Sequence, residues 1–171
     1  MTDLPIMSSE GEEPEIIATE VLEHPQAITD RSAARRLALQ ILYEIDCTAH
    51  PPGVVMANRF QDDPPSRKIE HHVQQLVSGV TAYRDKLDTI IQRYATEFPL
   101  NQVAIVDRNI LRLGSYEAAT REIPINVVVA EAVELANMFG ADGSTRFVNG
   151  VLAALIDDEA LRQIIPPETG E

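Results

Sequence analysis

The 171-residue sequence contains one cysteine and no tryptophan. The lone Cys47 can form no internal disulfide and supplies no cysteine cluster for a structural metal site. No apolar run approaches the roughly 18 residues that a membrane-spanning helix requires. The N-terminal residues also lack a basic segment followed by an apolar core, so no secretory signal is predicted. We therefore expect a cytoplasmic protein that does not associate with membranes.

Basic residues are scarce, since 14 Lys and Arg stand against 27 Asp and Glu and leave a net charge of −13. Nucleic-acid binding draws its affinity from cations that meet phosphates, so this balance argues against a broad basic surface. Seven acids lie in the first 28 residues, which contain no Lys or Arg: Asp3, Glu10, Glu12, Glu13, Glu15, Glu20 and Glu23. The remaining 20 acids and 14 basic residues give −6, so any nucleic-acid site must be a local patch.

The composition divides the chain into three parts. Residues 1–28 are acidic, contain three prolines and show no sustained apolar period, which predicts a disordered extension. A single helical domain is predicted over residues 29–165, and its length is sufficient for one core. Residues 166–171 form a short tail that begins with two prolines.

Helical periodicity dominates the predicted domain. The first helix is predicted from a cap at Thr29 or Asp30 to the residues before Pro51, with apolar residues at spacings of three and four. A short helix is a candidate around residues 54–60. The longest pattern predicts a bundle helix that is either continuous or divided near Gly79. Its apolar seam is Ile69, Val73, Leu76, Val80, Tyr83, Leu87, Ile90 and Tyr94.

Three more helices are predicted towards the C-terminus, over about 102–120, from a cap at Asn126 to Phe139, and from Ser144 to about Ile165. No segment combines period-two alternation with hairpin turn residues. The predicted fold class is therefore all-α, a compact bundle of six or seven helices.

The connection between the last two predicted helices carries residues that folding alone does not explain. Gly140 is predicted to end one helix in the left-handed conformation, and Ser144 to cap the next. Arg146 then lies in the first helical turn, where the helix dipole disfavours a cation. An anionic ligand or a carboxylate partner accounts better for this arginine. Phe147 is either a core residue or a platform on which a base stacks.

Three ordered segments carry a family resemblance. They are RRLALQILY at 35–43, VDRNILRLGSYE at 106–117, and EAVELANMFGADGSTRFVNGVL from 131. Together they resemble the NusB family of bacterial transcription antitermination factors over roughly 30–156. The resemblance implies two helical subdomains, a boxA-type single-stranded RNA ligand and ribosomal protein NusE as partner. It also implies action on elongating RNA polymerase, with other Nus factors, during ribosomal RNA transcription.

Candidate RNA contacts lie on the first helix and at the connection. Arg36, Gln40 and Tyr43 recur at spacings of four and three, with two more arginines one turn earlier. Guanidinium groups suit phosphates, and amide and aromatic groups suit exposed bases, although the same residues could merely solvate a surface. The resemblance places the boxA contact on this helix. The RNA-binding candidates are Arg31, Arg35, Arg36, Gln40, Arg146 and Phe147.

Partner contacts are expected on the central helix. Asp107, Arg108 and Arg112 are predicted on its polar face, where surface ion pairs contribute only about 0–1 kcal/mol. The resemblance implies that the acid and the tyrosine of the first helix belong to the NusE surface. The partner-binding candidates are Tyr43, Asp107 and Arg112. The arginine cluster is thinner than is common in the family, so we expect weaker RNA binding with a shallower salt dependence. Gly143 stands where the family usually has a second acid, so altered affinity for RNA or NusE is expected there.

Two alternatives remain at this stage. The fold could serve protein interaction, with the acidic extension covering the first-helix arginines or with the body forming a homodimer. An enzyme is the weaker alternative, because the adjacent His71 and His72 point about 100° apart on a helix and the pair Glu131 and Glu134 lacks a histidine partner. NusB-like domains also precede RNA methyltransferase domains, but a chain ending at Glu171 is expected to have no room for one. No catalytic residue, metal or cofactor is predicted.

Overall fold

The computed structural model describes residues 25–167, and within this range it contains helices and no strand. The helices are α1 (Pro25–Thr48), α2 (Pro52–Asp62), α3 (Arg67–Tyr94), α4 (Ile105–Thr120), α5 (Ile125–Phe139), α6 (Ser144–Leu155) and α7 (Glu159–Arg162). A 3₁₀ turn, Leu100–Gln102, precedes α4. The predicted all-α bundle is confirmed. None of the helices in the described range is both long and apolar enough to cross a membrane.

The first helix begins earlier than predicted. It starts at Pro25, because a proline in the first turn removes only an N–H that has no helical partner. Residues 25–28, predicted as part of the extension, therefore belong to α1. The rest of that extension, 1–24, and residues 168–171 of the predicted tail lie outside the described residues.

The long apolar seam forms one helix of 28 residues, α3. The hydroxyl of Ser66 caps it by accepting the backbone N–H of Ile69 at 3.3 Å. Gly79 does not divide this helix. A Cβ atom at Gly79 would lie 2.0 Å from the ring of Tyr116 on α4, so glycine at this position lets the two helices approach closely.

The C-terminal helices differ from the prediction at two boundaries. Pro124, not Asn126, precedes the first turn of α5. The predicted last helix is two helices, because α6 ends at Leu155 and Asp158 starts α7 by accepting the N–H of Ala160 at 2.8 Å. A carboxylate in a short turn thus redirects the chain.

Helix α4 packs against α1, α3, α5, α6 and α7. Eleven of its 16 residues are buried, including Asp107 and Arg112. The prediction that these two side chains lie on a solvated polar face is therefore wrong, because neighbouring helices cover that face. The seven helices of the described range all contribute residues to one continuous core.

Candidate functional site

Arg35 lies inside the protein with only 3% of its surface exposed. Its Nε and Nη2 atoms donate to the two carboxylate oxygens of Glu117 at 2.7 and 2.8 Å. Glu131 lies 3.6 Å from Nη1 and accepts the hydroxyl of Ser32 at 2.9 Å. Burial works against the charge, but the hydrogen bond and the charge of Glu117 raise the pKa of Arg35. Arg35 therefore joins α1 to α4 and α5, and the expectation that it contacts RNA directly does not fit its burial.

The neighbouring candidates on α1 are accessible. Arg36 is exposed, and Arg31 and Gln40 are half-buried. The side-chain oxygen of Gln40 accepts a hydrogen bond from Arg59 of α2 at 3.2 Å. The Nε atom of Arg59 is buried without a partner among the described residues. Arg59 is not among the residues predicted from sequence, because no local pattern indicates that α2 folds back beside Gln40.

Tyr43 is 42% exposed on α1. Its hydroxyl forms a hydrogen bond with the thiol of Cys47 one turn later, and this bond raises the pKa of Tyr43. The ring stays accessible to a partner. The sequence-based expectation for Tyr43 is thus compatible with its position.

The connection between α5 and α6 is built differently from the prediction. Gly140 is not left-handed, and Gly143 adopts that conformation with φ of 86°. Gly140 is needed for space, because a Cβ atom there would lie 2.5 Å from that of Ser144. The Ser144 hydroxyl does not cap α6. It accepts the N–H of Ala141 at 3.0 Å and donates to Asp107 at 3.1 Å, which fixes the connection against α4.

Asp107 has one carboxylate oxygen in use and one free. Oδ2 accepts from Ser144, whereas Oδ1 is buried and has no hydrogen-bond partner among the described residues. A buried acceptor without a donor is unfavourable and uncommon in folded proteins. Asp107 lines a cavity of about 350 Å³ together with Phe98 and Phe147. The cavity thus offers an acceptor that lacks its donor beside two aromatic rings.

Phe98 is also absent from the sequence-based candidates, although 59% of its surface is exposed. Phe98 lies in the loop before Pro99. A large aromatic residue outside any apolar period is the one sequence feature that indicates an exposed ring there. Phe147 is half-buried, packs against the core and lines the same cavity. Phe147 therefore satisfies both alternatives, because its ring packs against the core and is also accessible from the cavity.

Arg146 is exposed in the first turn of α6. Among the described residues it forms no ion pair, so its charge is available to a ligand. The dipole of α6 disfavours a cation at this end of the helix. The exposed position of Arg146 is therefore compatible with the anionic ligand that the sequence predicts for it.

Arg112 belongs to a buried network that joins three helices. Asp46 of α1 accepts from Arg108, Asn109 and Arg112 at 2.8, 3.0 and 3.0 Å. Arg112 also binds both oxygens of Asp88 on α3 at 2.7 and 2.9 Å. Burial opposes ionisation of Asp46, but hydrogen bonds from Arg108 and Asn109 and the charge of Arg112 outweigh it and lower the pKa of Asp46 to about 2. Arg112, only 4% exposed, braces the fold and is a poor candidate for direct partner contact.

Comparison with known sequences identifies relatives along most of the chain. The NusB family model matches residues 32–157. The transcription antitermination protein NusB of Chloroflexus aggregans is 41% identical over 131 residues, which are 75% of this chain and 87% of the relative. The protein of the same name from Bacillus subtilis is 40% identical over 129 residues, 75% of this chain and 95% of the relative.

Solved structures agree in fold. NusB of T. maritima has a TM-score of 0.70 and 28% identity, with 76% of this chain and 92% of that chain covered. A chain from the crystal structure of the antitermination factors NusB and NusE in complex with double-stranded RNA has a TM-score of 0.69 and 25% identity, covering 75% and 96%. With a family match over more than half of its length and relatives at 40% identity, the chain belongs to the NusB family.

Proposed function

We propose that the protein is a transcription antitermination factor that binds a boxA-type single-stranded RNA together with ribosomal protein NusE. In this role it associates with elongating RNA polymerase and other Nus factors during ribosomal RNA transcription, and it performs no chemical step. The observation that carries the proposal is the family match over residues 32–157. The structure of NusB and NusE with double-stranded RNA, similar in fold, supports RNA as a class of ligand and NusE as a partner.

The RNA surface consists of accessible cations, an amide and a ring. Arg36 and Arg146 are exposed and suit phosphates. Gln40, held by Arg59, suits an exposed base edge, and the ring of Phe147 suits a base face. Arg31 is a further accessible candidate on α1, whereas Arg35 positions α1. A local patch of this kind is compatible with a net charge of −13.

The NusE surface includes Asp107 and Tyr43. The free Oδ1 of Asp107 would gain a hydrogen bond from a donor on NusE, and an interaction that satisfies a buried charged acceptor is worth about 1.5–3 kcal/mol. Phe98 would cover such a donor from water. Arg112 acts indirectly, by holding α4 in place.

The two surfaces are coupled through one hydrogen bond. Ser144 joins Asp107 to the turn that presents Arg146 and Phe147. A NusE donor on Asp107 would restrain this turn, so each ligand should raise affinity for the other, as linkage requires. This coupling predicts that NusE strengthens RNA binding.

The test is a fluorescence titration of boxA-type RNA with and without NusE at two salt concentrations. The double variant Arg36→Ala/Arg146→Ala should weaken binding and reduce the salt slope by about 0.7 for each phosphate that is no longer neutralised. Arg93→Ala is the control, because Arg93 is an exposed arginine whose charge is already paired with Asp158 at 3.3 Å. An affinity that responds neither to NusE nor to the double variant beyond the control would contradict the proposal.

A further inference from the structure

A second cavity lies between α1, α3 and α4, apart from the one at Asp107. Its volume is about 380 Å³, within the range of about 300–1,000 Å³ typical of small-ligand sites. Its lining includes Arg31, His72, Gln75, Gly79, Tyr116 and Glu122. The cavity thus combines a cation, amide and imidazole groups, an aromatic ring and a carboxylate.

One side of this cavity attracts anions. Arg31 forms no ion pair with a described residue, whereas the charge of Arg35 is neutralised by Glu117. Partial burial and the nearby charges of Arg31, His71 and Lys68 lower the pKa of His72, so at neutral pH its imidazole offers a phosphate a hydrogen bond and not a charge. Lys68 is paired with Asp30 at 3.8 Å. Arg31 is therefore the cation of this cavity whose charge no described carboxylate compensates.

The other side is aromatic and acidic. Tyr116 and Glu122 also line an adjoining cavity, whereas Arg31 and His72 do not, so the two pairs lie on different sides. The absence of a side chain at Gly79 leaves room for the Tyr116 ring at this site. The Tyr116 ring is half-buried and lies 6.4 Å, centroid to centroid, from that of Tyr83 in a stacked orientation.

We propose that this cavity holds one nucleotide of the single-stranded RNA, with a backbone phosphate at Arg31 and His72 and the base against Tyr116. A nucleotide carries an anion at one end and a flat ring with hydrogen-bond donors at the other, which matches the two sides. Arg31 and the exposed Arg36 both lie on α1, about 7.5 Å apart along the helix axis. The inference rests on the proposed function, since it assigns a subsite for the same RNA.

The first experiment pairs base removal with Tyr116→Leu. Abasic substitutions are introduced one at a time into a boxA-type RNA, and affinity is measured for the full chain with NusE present. One abasic position should weaken binding to the unmodified protein by roughly 5- to 100-fold, the range for loss of one base–aromatic stack. In the Tyr116→Leu variant, the same abasic substitution should weaken RNA binding by less than about twofold, because the base–aromatic stack is already absent.

A second comparison uses variants that leave the core intact. Gln75 lines the cavity, whereas its exposed neighbour Gln74 does not, and the same holds for His72 and His71. Gln75→Ala and His72→Ala should each weaken RNA binding by roughly 3-fold or more, while Gln74→Ala and His71→Ala should bind as the unmodified protein does. Thermal unfolding of each variant checks that folding is retained.

The outcomes separate the two proposals. If RNA binds and responds to Arg36→Ala, but abasic penalties are equal in Tyr116→Leu and Gln75→Ala behaves as Gln74→Ala does, the nucleotide subsite is wrong and the proposed function stands. If Tyr116→Leu weakens NusE binding without coupling to any base, the cavity serves a protein and the inference is overturned. If no RNA binds under any condition, both proposals fail.

Discussion

The two groups of arginines in this protein occupy opposite environments. Arg35 and Arg112 are buried and hydrogen-bonded to both oxygens of a carboxylate on another helix, whereas Arg36 and Arg146 are exposed. Arg35 and Arg36 are even adjacent in the chain. Removing one partner of a buried ion pair strongly destabilises the fold, because the other charge stays buried without compensation. An exposed guanidinium contributes little to stability and is available to a ligand. The comparison shows that membership of a basic motif does not by itself assign a binding role.

The largest effect is expected from Arg35→Ala. This change leaves Glu117 buried without its cation and should lower the free energy of unfolding by about 3–5 kcal/mol. Arg36→Ala, the adjacent control, should lower it by less than about 0.5 kcal/mol. Chemical denaturation measures both. If Arg35→Ala proved as stable as Arg36→Ala yet lost RNA affinity, the distinction between the two arginines would be reversed.

The buried network predicts a specific pH dependence for Asp46→Asn. The pKa of Asp46 is lowered to about 2, below its value in the unfolded chain, so its ionised form stabilises the fold above about pH 4. We expect Asp46→Asn to cost about 2 kcal/mol at pH 7 and progressively less as the pH falls towards 2. Denaturation at several pH values measures this. A pH-independent cost would contradict the role of the charge.

Asp107 combines features of both groups, because it is buried and yet has one unpaired oxygen. Asp107→Asn should weaken NusE binding at least about 10-fold, which is about 1.4 kcal/mol, since a charge-assisted hydrogen bond is lost. Folding stability should change by less than about 1 kcal/mol, as the free protein leaves that oxygen unpaired. Calorimetric titration with NusE and thermal unfolding measure the two quantities. Equal NusE affinity in the variant would remove Asp107 from the partner surface.

The smallest effect is expected from removing residues 1–24. The deletion starts the chain at the first residue of α1 and changes the net charge from −13 to −6, since seven acids are removed. RNA association should accelerate a few-fold at low salt, because long-range repulsion decreases, and the gain should vanish at high salt. Stopped-flow fluorescence measures the rates. A gain that persists at high salt would instead indicate direct contact between the extension and the arginines.

Local sequence predicted the helices better than the binding residues. The seam of α3 was found because apolar spacing is a local property, and Val73, Val80 and Leu87 are indeed buried. The predicted roles of residues at helix ends are wrong where a residue depends on a contact that is distant in sequence. Gly140 is required because Ser144 approaches it, and that approach depends on how α6 returns to α4.

The site was predicted in part for the same reason. Tyr43, Arg36 and Arg146 are accessible. The amphipathic pattern of α1 predicts this for Tyr43 and Arg36, and the unfavourable helix dipole predicts a ligand-binding role for Arg146. Arg35 and Arg112 have the same local pattern but are buried, because Glu117, Asp46 and Asp88 reach them from other helices. The cavity at Asp107 also depends on Phe98, which has no periodic signal.

The sequence by itself determined the all-α class, the order of the long helices and the family, because apolar periodicity and motif order are properties of neighbouring residues. Only the tertiary structure decided which polar side chains are structural and which are free to bind. The physical reason is that an arginine is buried only where a carboxylate from another part of the chain compensates its charge. Arg35 meets Glu117 across 82 positions of sequence, and Arg36 meets no such partner among the described residues.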